Sequence, residues 1–180
     1  MDRFSRIVLG YHGCEPDFAE ALLSGKTSIE EWQPSNNPYD WLGNGIYFWE
    51  FAPQRAKLWQ GKGGVVGAVI QLGLCLDLTD VQYTNALQEE YRVIRQSRRE
   101  QGLTLPRNQG KRRDLDCLVL NELMSSSAVT PLKFQTIRCP FVEGKRAFPG
   151  SEIYRESHIQ LAVRDKSCIL GVFRPNQMKE

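Results

Sequence analysis

The chain has 180 residues, 41% hydrophobic and 24% charged, with a formal net charge of +2. That length favours one globular domain able to bury roughly 70% of its unfolded surface without staples. The near-neutral balance makes no demand for a polyanionic partner, and no apolar run is long enough to span a bilayer.

The chain opens on a strand, "RIVLGYHG", ending at Gly10 or Gly13. "PDFAEALLSGK" predicts a short helix capped by Asp17, with Phe18, Ala21 and Leu22 on one face and Gly25 as its stop. A loop rich in Pro, Asn, Asp and Gly follows, then "GIYFW" as a short strand. "APQRAKLWQGKGG" predicts a helix with Pro53 in its first turn and Ala52, Ala56 and Trp59 on one face. "GVVGAVIQLGLCLDLTD" reads as one or two buried strands bent at Gly73.

A helix is expected from about Thr84 to Arg99 with Leu87, Tyr91 and Ile94 inward, and a second over "LDCLVLNELM". "FQTIRCPFV" looks extended, and "EGKRAFPGSEIYRE" a loop. "SHIQLAV" and "SCILGVF" read as two strands of a hairpin turned by "RDK". Strands and helices do not alternate regularly, so the expected class is α+β, one domain over 1–180.

Five cysteines, at 14, 75, 117, 139 and 168, form no CxxC pair and no zinc-like spacing. Their odd number predicts free, mostly buried thiols in a reducing compartment. The opening "MDRFSRIVLGYHG" has too short an apolar run for a secretory signal. The expectation is therefore a cytoplasmic protein with neither membrane nor metal partners.

Two short pieces carry candidate chemistry. His12 ends an apolar strand and is followed by Gly13, whose bare backbone lets a ligand approach. The ordinary reading is a hydrogen-bonded structural histidine. Tyr47 follows the glycine-hinged "GNG"; it is either a core residue or a stacking platform for a flat heterocycle.

Together, "YHG", about thirty residues, and "GNGIYFWE" resemble the NAD-binding core of ADP-ribosyltransferases. The likeness is to the branch with poly-ADP-ribose polymerases and diphtheria toxin, whose first signature residues are a His and a Tyr. It implies two packed, mainly antiparallel sheets with peripheral helices, and NAD as co-substrate. It also implies that His12 bonds a ribose hydroxyl, Gly13 clamps the carboxamide by its backbone, and Tyr47 stacks on nicotinamide. Asn44 and Gly45 belong to the same expected cofactor site.

The family's third signature residue is a Glu at the start of a late strand, which stabilises positive charge as the glycosidic bond breaks. Here Gln160 falls in that slot when "AVRDKSCI" is aligned on the family's last hairpin, and Glu156 lies four residues earlier. Both remain candidates. In an extended segment they stand roughly 13 Å apart, too far to share one ribose. Gln160 cannot supply charge.

His158, two residues before the slot, and the loop residues Arg146, Phe148 and Tyr154 are the implied acceptor-binding group. Their mix of charge and aromatics suits nucleic acid or a protein surface. Arginines and lysines from Arg92 to Arg113 form a basic patch, either a solvated face or a phosphate contact.

The resemblance implies a mono-ADP-ribosyltransferase that passes ADP-ribose to a protein or nucleic acid and releases nicotinamide. By analogy it suits a bacterial or phage toxin or defence effector, with an antitoxin or inhibitor as partner. An inert NAD or ADP-ribose binding module, an NAD glycohydrolase and, least well matched, a transferase acting on RNA phosphates are the alternatives.

Overall fold

A computed structural model describes residues 6–61, 63–125 and 133–176. The opening five residues, read above for a leader, lie outside them. The class is α+β. Strands β1 (Ile7–Cys14), β2 (Ile46–Glu50), β3 (Gly64–Gln71), β4 (Cys75–Asp77), β5 (Thr136–Phe141), β6 (His158–Val163) and β7 (Ile169–Phe173) join in one hydrogen-bonded order, β4-β5-β6-β2-β1-β3-β7. The β4–β5 pair is parallel and the other ladders antiparallel. Where the resemblance implies two packed sheets, the described strands form one seven-stranded sheet.

Among the described residues four α-helices flank the sheet: α1 (Pro16–Leu23), α2 (Pro53–Gln60), α3 (Val81–Glu100) and α4 (Asp114–Ser125). In α1 the cap position is Glu15, not Asp17, which lies within the first turn. Ala19 and Leu22 are the buried positions, with Phe18 only half-buried, because the helix meets β3 at a slightly different rotation than the sequence suggests. In α3, Asp80 accepts from Gln82 N at 3.1 Å and starts the helix earlier than expected. Ile94 and Glu90 are its buried positions.

The alternation of side chains across the strands divides the core. Val8, Ile46, Phe48, Val66, Ile70, Leu161 and Val163 meet Leu22 and Trp32 on one face. Leu76, Ile137 and Ala162 meet Leu120, Leu123 and Leu42 on the other. Gly10 sits where the first face is tightest. A Cβ there would lie 2.7 Å from Ile70 Cδ1 and 2.8 Å from Phe48 Cβ, so β1 can cross Phe48 only as glycine.

The expected hairpin is corrected. β6 lies between β5 and β2, whereas β7 pairs with β3 at the far edge. A 3-10 turn, Lys166–Cys168, separates them, with Asp165 accepting from Ser167 N at 3.0 Å and Oγ at 2.7 Å. Backbone N–H groups of Arg164 and Asp165 both bond Gln135 O, which steers the chain away from a tight reversal.

A buried ionic ladder ties three strands together. Arg138 on β5 reaches across β6 to Glu50 on β2, at 2.6 and 2.8 Å, and contacts Asp77 on β4 at 3.3 Å. Arg6 bonds Asp77 at 2.9 Å. Burial pushes the Asp77 carboxyl up, but bonds from Thr79 and Arg6 and the charge of Arg138 bring it below its ordinary range. Arg138→Met would leave Glu50 buried without its partner. We expect a loss of about 3–5 kcal/mol of stability, read as a lower urea midpoint with an unchanged slope; an unchanged midpoint would contradict this assignment.

Candidate functional site where two strands part

The register of β1 with β2 covers Gly10 opposite Glu50 and Tyr11 opposite Trp49, and stops there. Phe51 N donates to Leu9 O, so by alternation the backbone groups of Leu9, Tyr11 and Gly13 all point toward β2. The next rung would join Gly13 to Tyr47. Instead His12 Nδ1 meets Tyr47 O at 2.7 Å. The imidazole takes the bond that the backbone would have made, and the strands part around it. Gly13 keeps its pairing with Val65 of β3, and its other edge has no partner on β2.

A carbonyl oxygen only accepts, so Nδ1 carries the proton and donates. Burial moves the His12 pKa below its ordinary 6.5, outweighing the opposite effect of the Tyr47 carbonyl. The ring is therefore neutral at pH 7, and Nε2 is an acceptor. His12 rests edge-on against Trp32, ring centres 4.9 Å apart, and beside Phe48.

Tyr47 is fixed at its other end. Its hydroxyl donates to Gly43 O at 2.5 Å and accepts from Leu42 N at 2.8 Å. Burial raises its pKa well above the ordinary range for tyrosine, so the hydroxyl is a structural anchor and the ring a rigid wall. Gly43 has φ +71°, and a Cβ there would run into Asn121. Gly45 passes β6 so closely that a Cβ would lie 3.1 Å from Val163 O. These glycines turn the chain so that the Tyr47 hydroxyl can reach back to it.

The parting of the strands opens a cavity of about 580 Å³, within the range of small-molecule sites. His12, Gly45, Tyr47 and Gln160 line it, from segments far apart in sequence. Trp32, Tyr39, Trp41, Trp49 and Trp59 give it aromatic walls, and Arg55, Lys111 and Arg112 a cationic side. Trp41 Nε1 donates to Lys111 O at 2.7 Å, which holds the end of the basic segment against the cavity loop. Arg112 and Arg113 stack on Tyr39 and Trp41 at 4.5 and 4.7 Å. The rest of the basic patch, on α3, faces solvent.

Gln160 stands opposite Trp49 and is 7% exposed. Its Oε1 is buried with no hydrogen-bond partner, as are Trp49 Nε1, Arg55 Nε and His158 Nε2. Buried polar atoms are seldom left unpaired. Three of these atoms, on Gln160, Trp49 and Arg55, belong to residues lining the cavity, where a polar ligand or water would complete their bonds.

The other expected residues lie elsewhere. Asn44 is engaged with α4: its N–H donates to Asn121 Oδ1 at 2.9 Å and its Oδ1 accepts from Asn121 Nδ2 at 3.2 Å, so it braces the loop instead of facing the cavity. Gly13 adjoins His12 but does not line the cavity. Glu156 is half-exposed and faces a smaller neighbouring pocket with Arg55, Leu58, Trp59 and Lys111. His158 is buried, bonded through Nδ1 to Glu156 O at 2.8 Å and set between Phe141 and Trp49, which takes it out of reach of an acceptor. Arg146 stacks on Tyr154 and pairs with Glu152, while Phe148 is 61% exposed at the loop tip, so this loop presents a free aromatic.

Trp32, Arg55 and Glu143 carry no local signal of a site; they reach it from the first loop, α2 and the segment after β5. Cys14 shares the His12 side of β1, since the β1–β3 register runs without a bulge, but burial lifts its thiol to about 11 and removes it as a nucleophile. All five cysteines are free, and Cys139 alone is not fully buried. Among the described residues no cluster of three or more His, Cys, Asp or Glu could hold a metal, and no helix is long and apolar enough to cross a membrane.

Both histidines are held neutral by burial. Their folded pKa values lie below the unfolded value of about 6.5, so the unfolded chain takes up protons first on acidification. The stability they contribute is complete above about pH 6.5 and is lost as pH falls through the folded values. Stability should be level from about pH 8 to 7 and then decline by up to about 1.4 kcal/mol per pH unit for each histidine, read as a falling melting temperature. His158→Gln should make the decline shallower. A melting temperature that stays level or rises down to about pH 5.5 would contradict this assignment.

Comparison with protein-family models, curated proteins and solved structures gives no match for this chain.

Proposed function

We propose that this chain is an NAD-dependent mono-ADP-ribosyltransferase. The observation that carries the reading is the convergence of His12, Tyr47 and Gln160 on one aromatic-walled cavity. Each was singled out from a different segment on the strength of the resemblance.

NAD would lie with its nicotinamide ring against Tyr47, whose tethered hydroxyl keeps the ring plane fixed. His12 Nε2 would accept a hydrogen bond from a ribose hydroxyl. Gly13, the carboxamide clamp that the resemblance implies, lies beside His12 but outside the cavity lining, so the proposal gives it no contact with the ligand. Lys111 and Arg112 suit the pyrophosphate. The two packed sheets of that family would correspond to the two sides of the β1–β2 parting.

The bond between C1′ of the ribose and the nicotinamide nitrogen breaks, its electron pair leaving with the now neutral nicotinamide. The ribose becomes oxocarbenium-like, and a hydroxyl, amine or other nucleophile of a macromolecule then bonds to C1′ and releases its proton. The exposed Phe148 and the basic stretch near the cavity suit a protein or nucleic-acid acceptor. A toxin or defence role inside the cytoplasm, restrained by a partner protein, is the biological setting that the resemblance suggests.

A second reading, NAD binding without cleavage, is favoured by the uncharged Gln160. Both can be tested with NAD labelled on the adenylate phosphate, incubated with the protein and a cell lysate and then digested separately with protease, RNase and DNase. Label in a macromolecular fraction, lost to one of these digestions, supports transfer and identifies the acceptor class. Bound NAD with no nicotinamide release supports the binding module. Free labelled ADP-ribose alone indicates a glycohydrolase. Tyr47→Ala should weaken NAD binding by about tenfold, the worth of one ring-stacking contact; unaltered binding would remove Tyr47 from the site.

A further inference from the structure

We infer that Glu143 supplies the negative charge that Gln160 lacks, an assignment that rests on the reading of the cavity as an NAD site. Two carboxylates line the cavity, those of Asp40 and Glu143. Asp40 is committed to its own loop: it accepts from Ser35 Oγ at 2.6 Å and from Asn37 N at 2.9 Å. Those bonds shape the turn that leads into Tyr47.

Glu143 is differently placed. Its side chain is 18% exposed, and Oε2 accepts from Arg55 Nη2 at 2.6 Å. His158 Nδ1 lies 3.6 Å from the same oxygen. Oε1 has no bond of this kind among the described residues. The backbone is fixed too, since Glu143 O accepts from Glu156 N at 3.2 Å, just before β6 begins. Arg55 thus anchors one oxygen while the other stays available at the wall shared with Gln160 and Trp49.

This division suits the chemistry. As the C1′–nitrogen bond breaks and its electron pair leaves with nicotinamide, positive charge gathers on the ribose. An anion fixed beforehand in a partly dry cavity stabilises that charge without having to reorganise. Gln160, with its unpartnered Oε1, would orient the ribose hydroxyl as a neutral acceptor. The roles that the family's single Glu combines are then split between two residues, one on β6 and one on the segment leaving β5. Glu156, half-exposed in the adjoining pocket, has no part in the step.

The test is steady-state nicotinamide release from NAD by the full chain and by Glu143→Gln, Glu156→Gln and the double variant Glu143→Gln/Gln160→Glu. Thermal melts and NAD binding are measured alongside. Glu143→Gln keeps an oxygen for Arg55, so it should fold and bind NAD nearly as the parent does. Its kcat should fall on the order of 10²-fold with little change in KM. Glu156→Gln should stay close to the parent, and the double variant should recover much of the lost kcat, because charge returns to the same cavity, in the slot where the family carries its Glu. Parent-like kcat in Glu143→Gln, or a loss confined to Glu156→Gln, would overturn the assignment while leaving the NAD reading in place. A parent chain that releases no nicotinamide overturns this assignment and the transferase reading together, and the parallel binding measurement then shows whether the cavity still takes NAD.

Discussion

One hydrogen bond organises this molecule: the imidazole of His12 donates to the carbonyl of Tyr47 where a strand would otherwise donate. A β-ladder propagates because each rung positions the next. Placing a side chain in the rung after Tyr11 and Trp49 ends the ladder, though both strands remain held by their outer neighbours, β3 and β6. The sheet stays continuous and the cavity opens within it. The same bond sets the tautomer of His12 and leaves an acceptor nitrogen. Structure and proposed chemistry therefore depend on one contact, and Gly13, which cannot complete the ladder, is left with a bare backbone edge beside it.

The surrounding parts hold that arrangement in place. The Tyr47 hydroxyl is tethered to Leu42 and Gly43, and Asn121 braces Asn44 from α4. The Arg138–Glu50–Asp77 ladder fixes β2 relative to β5 and β4 across β6. A rigid aromatic wall and a prearranged polar wall are what cleavage through a charged transition state requires, since interactions set in advance need no reorganisation when charge develops. The unpaired polar atoms of Trp49, Arg55 and Gln160 belong to residues that line this cavity, while those of His158 and Glu90 lie outside it. Such sites cost stability unless something else completes their bonds.

Much of this was legible in the sequence because it is local. The ends of β1 and β2 announce themselves by alternation and glycine, and His12 and Tyr47 sit at those ends. Glu143, Arg55 and Trp32 were not legible, because their roles depend on which segments the fold brings together. The β6–β7 hairpin failed for a related reason: a short link between two β-branched runs favours pairing locally, but β5 and β2 occupy both edges of β6, and β7 pairs with the outer edge of β3 instead. Asn44 looked like part of the glycine-rich binding loop, and the complementary amide of Asn121, 77 residues away, decides its role. His158 shares a side with Gln160 as strand periodicity requires, yet that side is buried under Phe141 and Trp49, which alternation alone cannot reveal.

The most direct test of the central claim is a crystal structure of the chain with an NAD analogue whose glycosidic bond resists cleavage. The account predicts the nicotinamide ring stacked on Tyr47, a ribose hydroxyl within hydrogen-bond distance of His12 Nε2, and the pyrophosphate toward Lys111 and Arg112. A dinucleotide bound away from the parting of β1 and β2, or a cavity that excludes it at saturating concentration, would contradict the account.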